Sequence, residues 1–261
     1  MTSELALKVI EIMINCSIIV QSIEYLSLKK HFSEKGIWRW SEIKQEHPVL
    51  PIFSFLLSEN NFIYFLVARI VSALGLIFFF PHSFILILFL FFTSLLISLR
   101  FRGSFNGGSD YMALIILSAL CIAAFFKTPR VQMGVLWYIS LQVCTSYFIA
   151  GMVKIKQRKW RSAEALSKHM TSSNYNPPRW SQNIFSKKIW AMCAAWGVIV
   201  FEICFPIILT QHNPSVLYWL LAGFLFHLTN VLFFGLNRFL IVWCATYPAL
   251  YFITNNFSYS P

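Results

Sequence analysis

Charge is scarce in this chain. Only 12% of its 261 residues are Asp, Glu, Lys or Arg, roughly half the share of a soluble domain. Apolar residues make up 57%. That balance excludes a water-soluble globular protein, and long apolar stretches recur from end to end. Acidic residues are the scarcest charges: 10 stand against 21 basic ones, for a formal net charge of +11. The excess sits between apolar runs. Basic segments in that position set topology or meet anionic lipid, so nucleic acid is not an expected partner and membrane lipid is.

Other absences narrow the field. The six cysteines (Cys16, Cys121, Cys144, Cys193, Cys204 and Cys244) all fall inside apolar runs. None shows the paired spacing of a zinc site, so they read as small packed side chains and no metal is expected. There is no GxxxxGK[ST] phosphate loop. No internal repeat, low-complexity tract or soluble domain is seen, so residues 1–261 read as one transmembrane domain. Without a repeat carrying paired broken helices, a transporter is the weakest of the membrane classes. A cleavable signal peptide is not expected, because Lys8 and Glu11 interrupt the first apolar run and Glu4 precedes it.

Eight apolar runs are present, at about residues 5–26, 62–80, 84–99, 111–126, 131–153, 189–209, 216–234 and 239–254. Each approaches the ~20 residues that cross a bilayer as a helix. The fold class is therefore all-α: a polytopic integral membrane bundle of about eight transmembrane helices. Phe (27 residues) and Trp (9 residues) suit its lipid-facing and interfacial surfaces. Two large polar loops, 29–60 and 154–188, mix Trp, Ile and Phe with charge, the composition of interfacial helices. The second predicts a short amphipathic helix over about 161–170, broken later by Pro177 and Pro178. With eight spans both termini share a side, and the basic loops fall on the cytoplasmic one.

Polar residues inside such spans need a partner or a function, because a charge at mid-bilayer costs about 2.5–3.5 kcal/mol on insertion scales. Glu202 sits mid-run in "VIVFEICFPIIL", one turn before Pro206, which predicts a kink. Arg69 lies in the second span, Gln142 in the fifth, and His227 with Asn230 in the seventh at i and i+3. Two outcomes fit: a hydrogen-bond network that holds the bundle together, or a polar cavity lined by Glu202, His227, Asn230 and Arg69. The loop "RFRGSFNGGSDYM" carries Arg100, Arg102 and Asp110. Asp110 is placed to cap the fourth helix, and Gly107-Gly108 to turn the chain. The arginines serve either as anchors or as a clamp for an anion.

The stretch "SYFIAGMVKIKQRKW" runs from an apolar segment into a basic cluster. Its first lysine, Lys154, is open to two readings. At a helix C-terminus it satisfies carbonyls and reaches for headgroups. After the small pair Ala150-Gly151, where another helix can approach, a lysine held away from water can lose its proton and act as a base.

Three stretches carry a resemblance. "YFIAGMVKIKQRKW", "FHLTNVLFFGLNRFLIVWCATYP" and "NGGSDYM", in that spacing, resemble the membrane domain of vitamin K-dependent gamma-carboxylases and their bacterial relatives, the horizontally transferred transmembrane (HTTM) family. The resemblance implies that Lys154 is the base that deprotonates a reduced quinone, with His227 and Asn230 beside it. It implies a substrate or cofactor pocket involving Arg100, Arg102, Asp110, Glu202 and Trp160, and a multi-pass location in a bacterial cell membrane. Two departures shape the expectation. The carboxylase places a histidine after the fourth span, where this chain reads "AAFFKTPRVQM", and it has a large soluble domain for its protein substrate. A quinol-dependent membrane enzyme with a lysine base is thus expected, with no reaction assigned. The alternative is a non-enzymatic maturation or partner factor for a small secreted peptide or a co-encoded protein.

Overall fold

A computed structural model describes residues 1–46, 48–101, 108–172 and 178–256. Among these residues every regular element is helical, so the all-α expectation holds. The principal helices are α1 (Ser3–Ser27), α2 (Glu59–Phe78), α3 (Phe84–Arg100), α4 (Gly108–Phe126), α5 (Pro129–Lys156), α6 (Glu164–Thr171), α7 (Arg179–Phe185), α8 (Lys188–Cys204), α9 (Ser215–Phe234), α10 (Asn237–Cys244) and α11 (Tyr247–Asn256). Short helical turns fill the first loop at Lys29–Phe32, Trp40–Ile43, Leu50–Phe53 and Ser54–Leu57.

Six helical segments are long and apolar enough to cross a bilayer: Ser3–Ser27, Asn61–Phe78, Gly108–Phe126, Pro129–Lys156, Lys188–Thr210 and Ser215–Phe234. The chain is an integral membrane protein. The third expected span, α3, is apolar but only 17 residues long. The eighth is not one helix; it divides into α10 and α11, of 8 and 10 residues. Pro248 explains the break. It has no N–H to donate, and its ring would collide with the carbonyl of Cys244, four residues earlier, where α10 ends. Pro206 acts similarly in the sixth span, where α8 gives way to a tighter 3-10 segment, Phe205–Thr210.

The chain packs as two compact units, Met1–Val135 with Ile241–Ala245 and Leu136–Leu240 with Thr246–Pro261. In the first, α1 lies along α2 and α3 along α4. The buried residues of α1, including Ala6, Ile10, Ile14, Ile18 and Tyr25, recur every three to four positions and form one apolar face. Within that packing runs a polar network. Arg69 Nη2 donates to Gln21 Oε1 at 2.8 Å, and its Nη1 donates to Thr93 at 2.5 Å and Ser94 at 3.2 Å. Gln21 Nε2 donates in turn to Asp110 at 3.1 Å. Four helices are thereby tied through groups that lipid could not satisfy. Asp110 is not the cap of α4, as the loop pattern suggested. The described helix already begins at Gly108, so Asp110 lies in its first turn, buried against Gln21.

An aromatic cluster of Tyr25, Phe32, Trp40, Phe62 and Phe101 forms the other core of this unit. Arg100 is fully buried inside it. The guanidinium carbon lies 4.5 Å from the ring centre of Phe62, 5.2 Å from Trp40 and 5.5 Å from Phe32. Three aromatic faces can hold a desolvated guanidinium at such distances. Arg102 and Gly107 lie outside the described residues. In the second unit, α6 covers most of the expected amphipathic stretch, with Leu166 and Met170 buried against Ala191, Ala195 and Phe233.

In the first unit, the turn between α2 and α3 is held by Glu11. The His82 backbone N–H donates to Glu11 Oε1 at 3.0 Å, and His82 Nδ1 lies 2.9 Å from Oε2. The hydrogen bond to Glu11 holds the His82 imidazole above its ordinary 6.5, against partial burial and the nearby Lys8, with Glu4 adding to the rise. This contribution to stability is complete below about pH 6.5 and is lost as pH rises through the raised value. Thermal unfolding of wild type and His82→Asn in one detergent should therefore diverge most in mild acid and converge in alkali. Asn is chosen because His82 sits at φ 59°, which asparagine tolerates. A difference independent of pH between 5 and 9 would contradict the charge-assisted reading.

Candidate functional site

Helix α5 presents Tyr147, Gly151 and Lys154 at i, i+4 and i+7, one stripe on one face. The stripe faces the end of α8. Lys154 Nζ donates to both carboxylate oxygens of Glu202, at 2.7 Å each. The Glu202 side chain is 4% exposed and that of Lys154 18%. Lys154 also lies 5.2 Å over the ring of Trp160, which is half-buried. The ammonium therefore has a bidentate carboxylate and an aromatic face.

Gly151 makes this pairing possible. A Cβ added there would meet Ile203 Cγ1 at 2.7 Å, the Ile203 backbone nitrogen at 2.9 Å and Glu202 Cβ at 3.0 Å. Contacts that short against a helix backbone cannot be relieved by a side-chain rotation. Hydrogen at this position lets α8 come close enough for Glu202, the residue before Ile203, to reach Lys154 less than one turn further along α5.

Seven residues back along α5, about 10 Å at 1.5 Å per residue, a second polar pair is buried. Tyr147 Oη and His227 Nε2 are 2.5 Å apart, and both residues are almost fully buried. Phe205 stacks on Tyr147 with ring centres 3.9 Å apart, and Phe201, Phe226 and Phe239 surround the two rings. One turn before His227 on the same face of α9, the Tyr247 hydroxyl occupies the notch at Gly223, where a Cβ would lie 2.6 Å from it and 3.5 Å from the Tyr147 hydroxyl.

Of the residues that the sequence singled out, Lys154, Glu202 and Trp160 are in contact. His227 lies in the same unit as the partner of Tyr147. Asn230 shares the face of His227 but turns its amide to its own helix, donating to the Phe226 carbonyl at 3.3 Å, and it is only partly buried. Arg69 and Asp110 belong to the Gln21 network of the first unit, and Arg100 to its aromatic cage. The sequence reading gave no role to Tyr147, although the residue stood in the quoted "YFIAG" motif. Arg238, in the short polar stretch between the seventh and eighth apolar runs, is 2% exposed. Among the described residues, no cluster of three or more His, Cys, Asp or Glu could hold a metal ion.

The family model for the HTTM domain matches residues 112–255, more than half of the chain. No curated protein matched, and neither did any solved structure.

Two glycines separate the close approach from ordinary helix propensity. Gly151→Ala should lower the thermal midpoint, since an added methyl at a packed site costs roughly 1–3 kcal/mol. Gly197, on α8, has nothing within 4 Å of its absent Cβ. Gly197→Ala should be neutral or stabilising by up to ~1 kcal/mol. Equal midpoints for the two variants would mean that α5 and α8 do not meet at Gly151.

Proposed function

The chain belongs to the HTTM family, and from that premise we propose that it is a membrane enzyme in which Lys154 takes a proton from a quinol-class substrate. The observation that carries the reading is the Lys154–Glu202 pair: an amine bonded to both oxygens of a buried carboxylate, beside an aromatic ring. A lysine that served only as a headgroup anchor would point to water. This one is turned inward and is mostly covered.

The pair suits proton movement. Separated charges are costly away from water, and passing one proton from the ammonium to the carboxylate leaves a neutral amine next to a neutral acid. That neutral amine can accept a proton from a ligand, while Glu202 holds Nζ in place and carries the proton it released. Lysine is suited to the task because its amine can be neutral; a guanidinium cannot. Trp160 offers a flat wall against which a ring can lie, so the residues present fit a reduced quinone. When bound, such a molecule would supply an ionisable ring hydroxyl and two electrons. Tyr147 and His227 form a second proton-bearing pair on the same face of α5. Their packing by Phe201, Phe205 and Phe226 keeps water from it. The resemblance to bacterial relatives of the carboxylase supports the cell membrane of a bacterium as the setting.

Two measurements test the reading. Organic extraction of protein purified in mild detergent should release a quinone in near-stoichiometric amount, identified by mass spectrometry. A stoichiometric peptide with no quinone would instead favour the maturation-factor alternative. In cells that depend on the protein, Lys154→Arg at matched membrane abundance should fail to complement, and Lys156→Arg should complement fully. Full rescue by Lys154→Arg ends the proposal that a neutral amine is required.

A further inference from the structure

The first unit contains a cavity of about 610 Å³ that the Lys154 site does not involve. This is the size range of small-ligand pockets. The start of α1, the turn before α3, the end of α4 and the start of α5 form it. Leu7, Leu120, Ala123 and Ala124 line it and are themselves buried, which gives it an apolar floor. Lys8, Lys127 and His82 stand at its rim, against one acid, Glu4.

Three features make the rim a built one. Ser3 Oγ donates to Gln132 Oε1 at 2.8 Å, which ties the first turn of α1 to the first turn of α5. His82 and Lys127 both have left-handed backbones, with φ of 59° and 51°, conformations that side chains seldom adopt and that surrounding structure must hold. Glu11, the other nearby acid, directs both carboxylate oxygens to His82. Those oxygens are committed to one partner, which leaves Lys8 and Lys127 lining the cavity with Glu4 the one acid opposite among the described residues.

We infer that this cavity binds the headgroup of an anionic lipid, with the lysine ammonium groups on the headgroup anion and the first methylenes on the apolar floor. This inference is independent of the quinol reading. The rim is made from the ends of span-length helices, where an integral membrane protein meets the headgroup layer. Basic pockets between transmembrane helices at that level recognise anionic headgroups. A free anion would gain nothing from the buried leucine and alanine side chains. A lipid gains from both parts of the pocket.

Native mass spectrometry of the full chain in detergent tests this, with phosphatidylglycerol and phosphatidylcholine of identical acyl chains as probes. Wild type should retain phosphatidylglycerol preferentially. In a Lys8→Gln/Lys127→Gln variant the preference should fall about tenfold or more. Lys156→Gln/Lys159→Gln, in the basic cluster at the C-terminal end of α5, should leave it unchanged. Both rim lysines are exposed, so the first variant should fold. If it does not, Glu4→Lys adds a cation to the same rim without removing one and should raise retention. Equal retention of the two lipids by wild type, undiminished preference in the rim variant, or no gain with Glu4→Lys would each overturn the proposal. Competition by inorganic phosphate as strong as that by added phosphatidylglycerol would overturn the lipid as the source of the anion.

Discussion

A polar group placed in lipid finds no partner there, so it must find one on another helix. Most of this structure's specific features follow from that constraint. Apolar helices attract one another only weakly in hydrocarbon, where lipid tails are as apolar as leucine. Polar bonds and close backbone contacts then decide which helices meet and at what register. Arg69 can be satisfied only where α1, α2 and α3 bring Gln21, Thr93 and Ser94 together. Glu202 can be satisfied only where α5 brings Lys154. Each network fixes a helix arrangement that hydrophobicity alone would leave undetermined.

The Lys154 site shows how the two devices combine. The ion pair needs α5 and α8 at short range, and the absence of a side chain at Gly151 provides it. The close approach brings dispersion contacts along the same stripe, with Tyr147 stacked on Phe205 two turns away. A methyl group at Gly151 would therefore act on Lys154 without touching it. Ion pairing and packing at this site are one constraint, so a failure to complement by variants along the stripe must be read beside a measurement of stability.

Much of this was legible in the sequence. Hydropathy and length located six of the eight expected spans as span-length helices, because a bilayer imposes a length that composition reveals directly. Pro206 marked the end of α8, and Ala150-Gly151 marked a close helix contact, realised at Gly151. What could not be read was pairing. Glu202 and Lys154 are 48 residues apart, Tyr147 and His227 are 80, and Glu11 and His82 are 71. Nothing in the local pattern of either member names the other. The same limit made Asp110 look like a helix cap. Residues at the edge of an apolar run have both local and distant options, and local rules weigh only the local ones. The eighth run is not one continuous helix for a different reason: its composition at 239–254 is largely apolar, and a single imino acid, Pro248, decides that the helix breaks.

Two of the buried acids have been given the same kind of solution with different access. Glu11 and Glu202 both lie in apolar helices with side chains 3% and 4% exposed, and each takes a base from the end of another element. The bases differ. His82 is 42% exposed, so its proton exchanges with water and the pair follows the pH of the medium. Lys154 is 18% exposed, bonded to both oxygens of Glu202 and covered by Trp160, so water reaches it less than it reaches His82. A base open to water cannot reserve its proton for a substrate, whereas a base covered by an acid and an aromatic ring can. Exposure, more than residue type, makes Lys154 the candidate for chemistry and His82 the candidate for holding a turn.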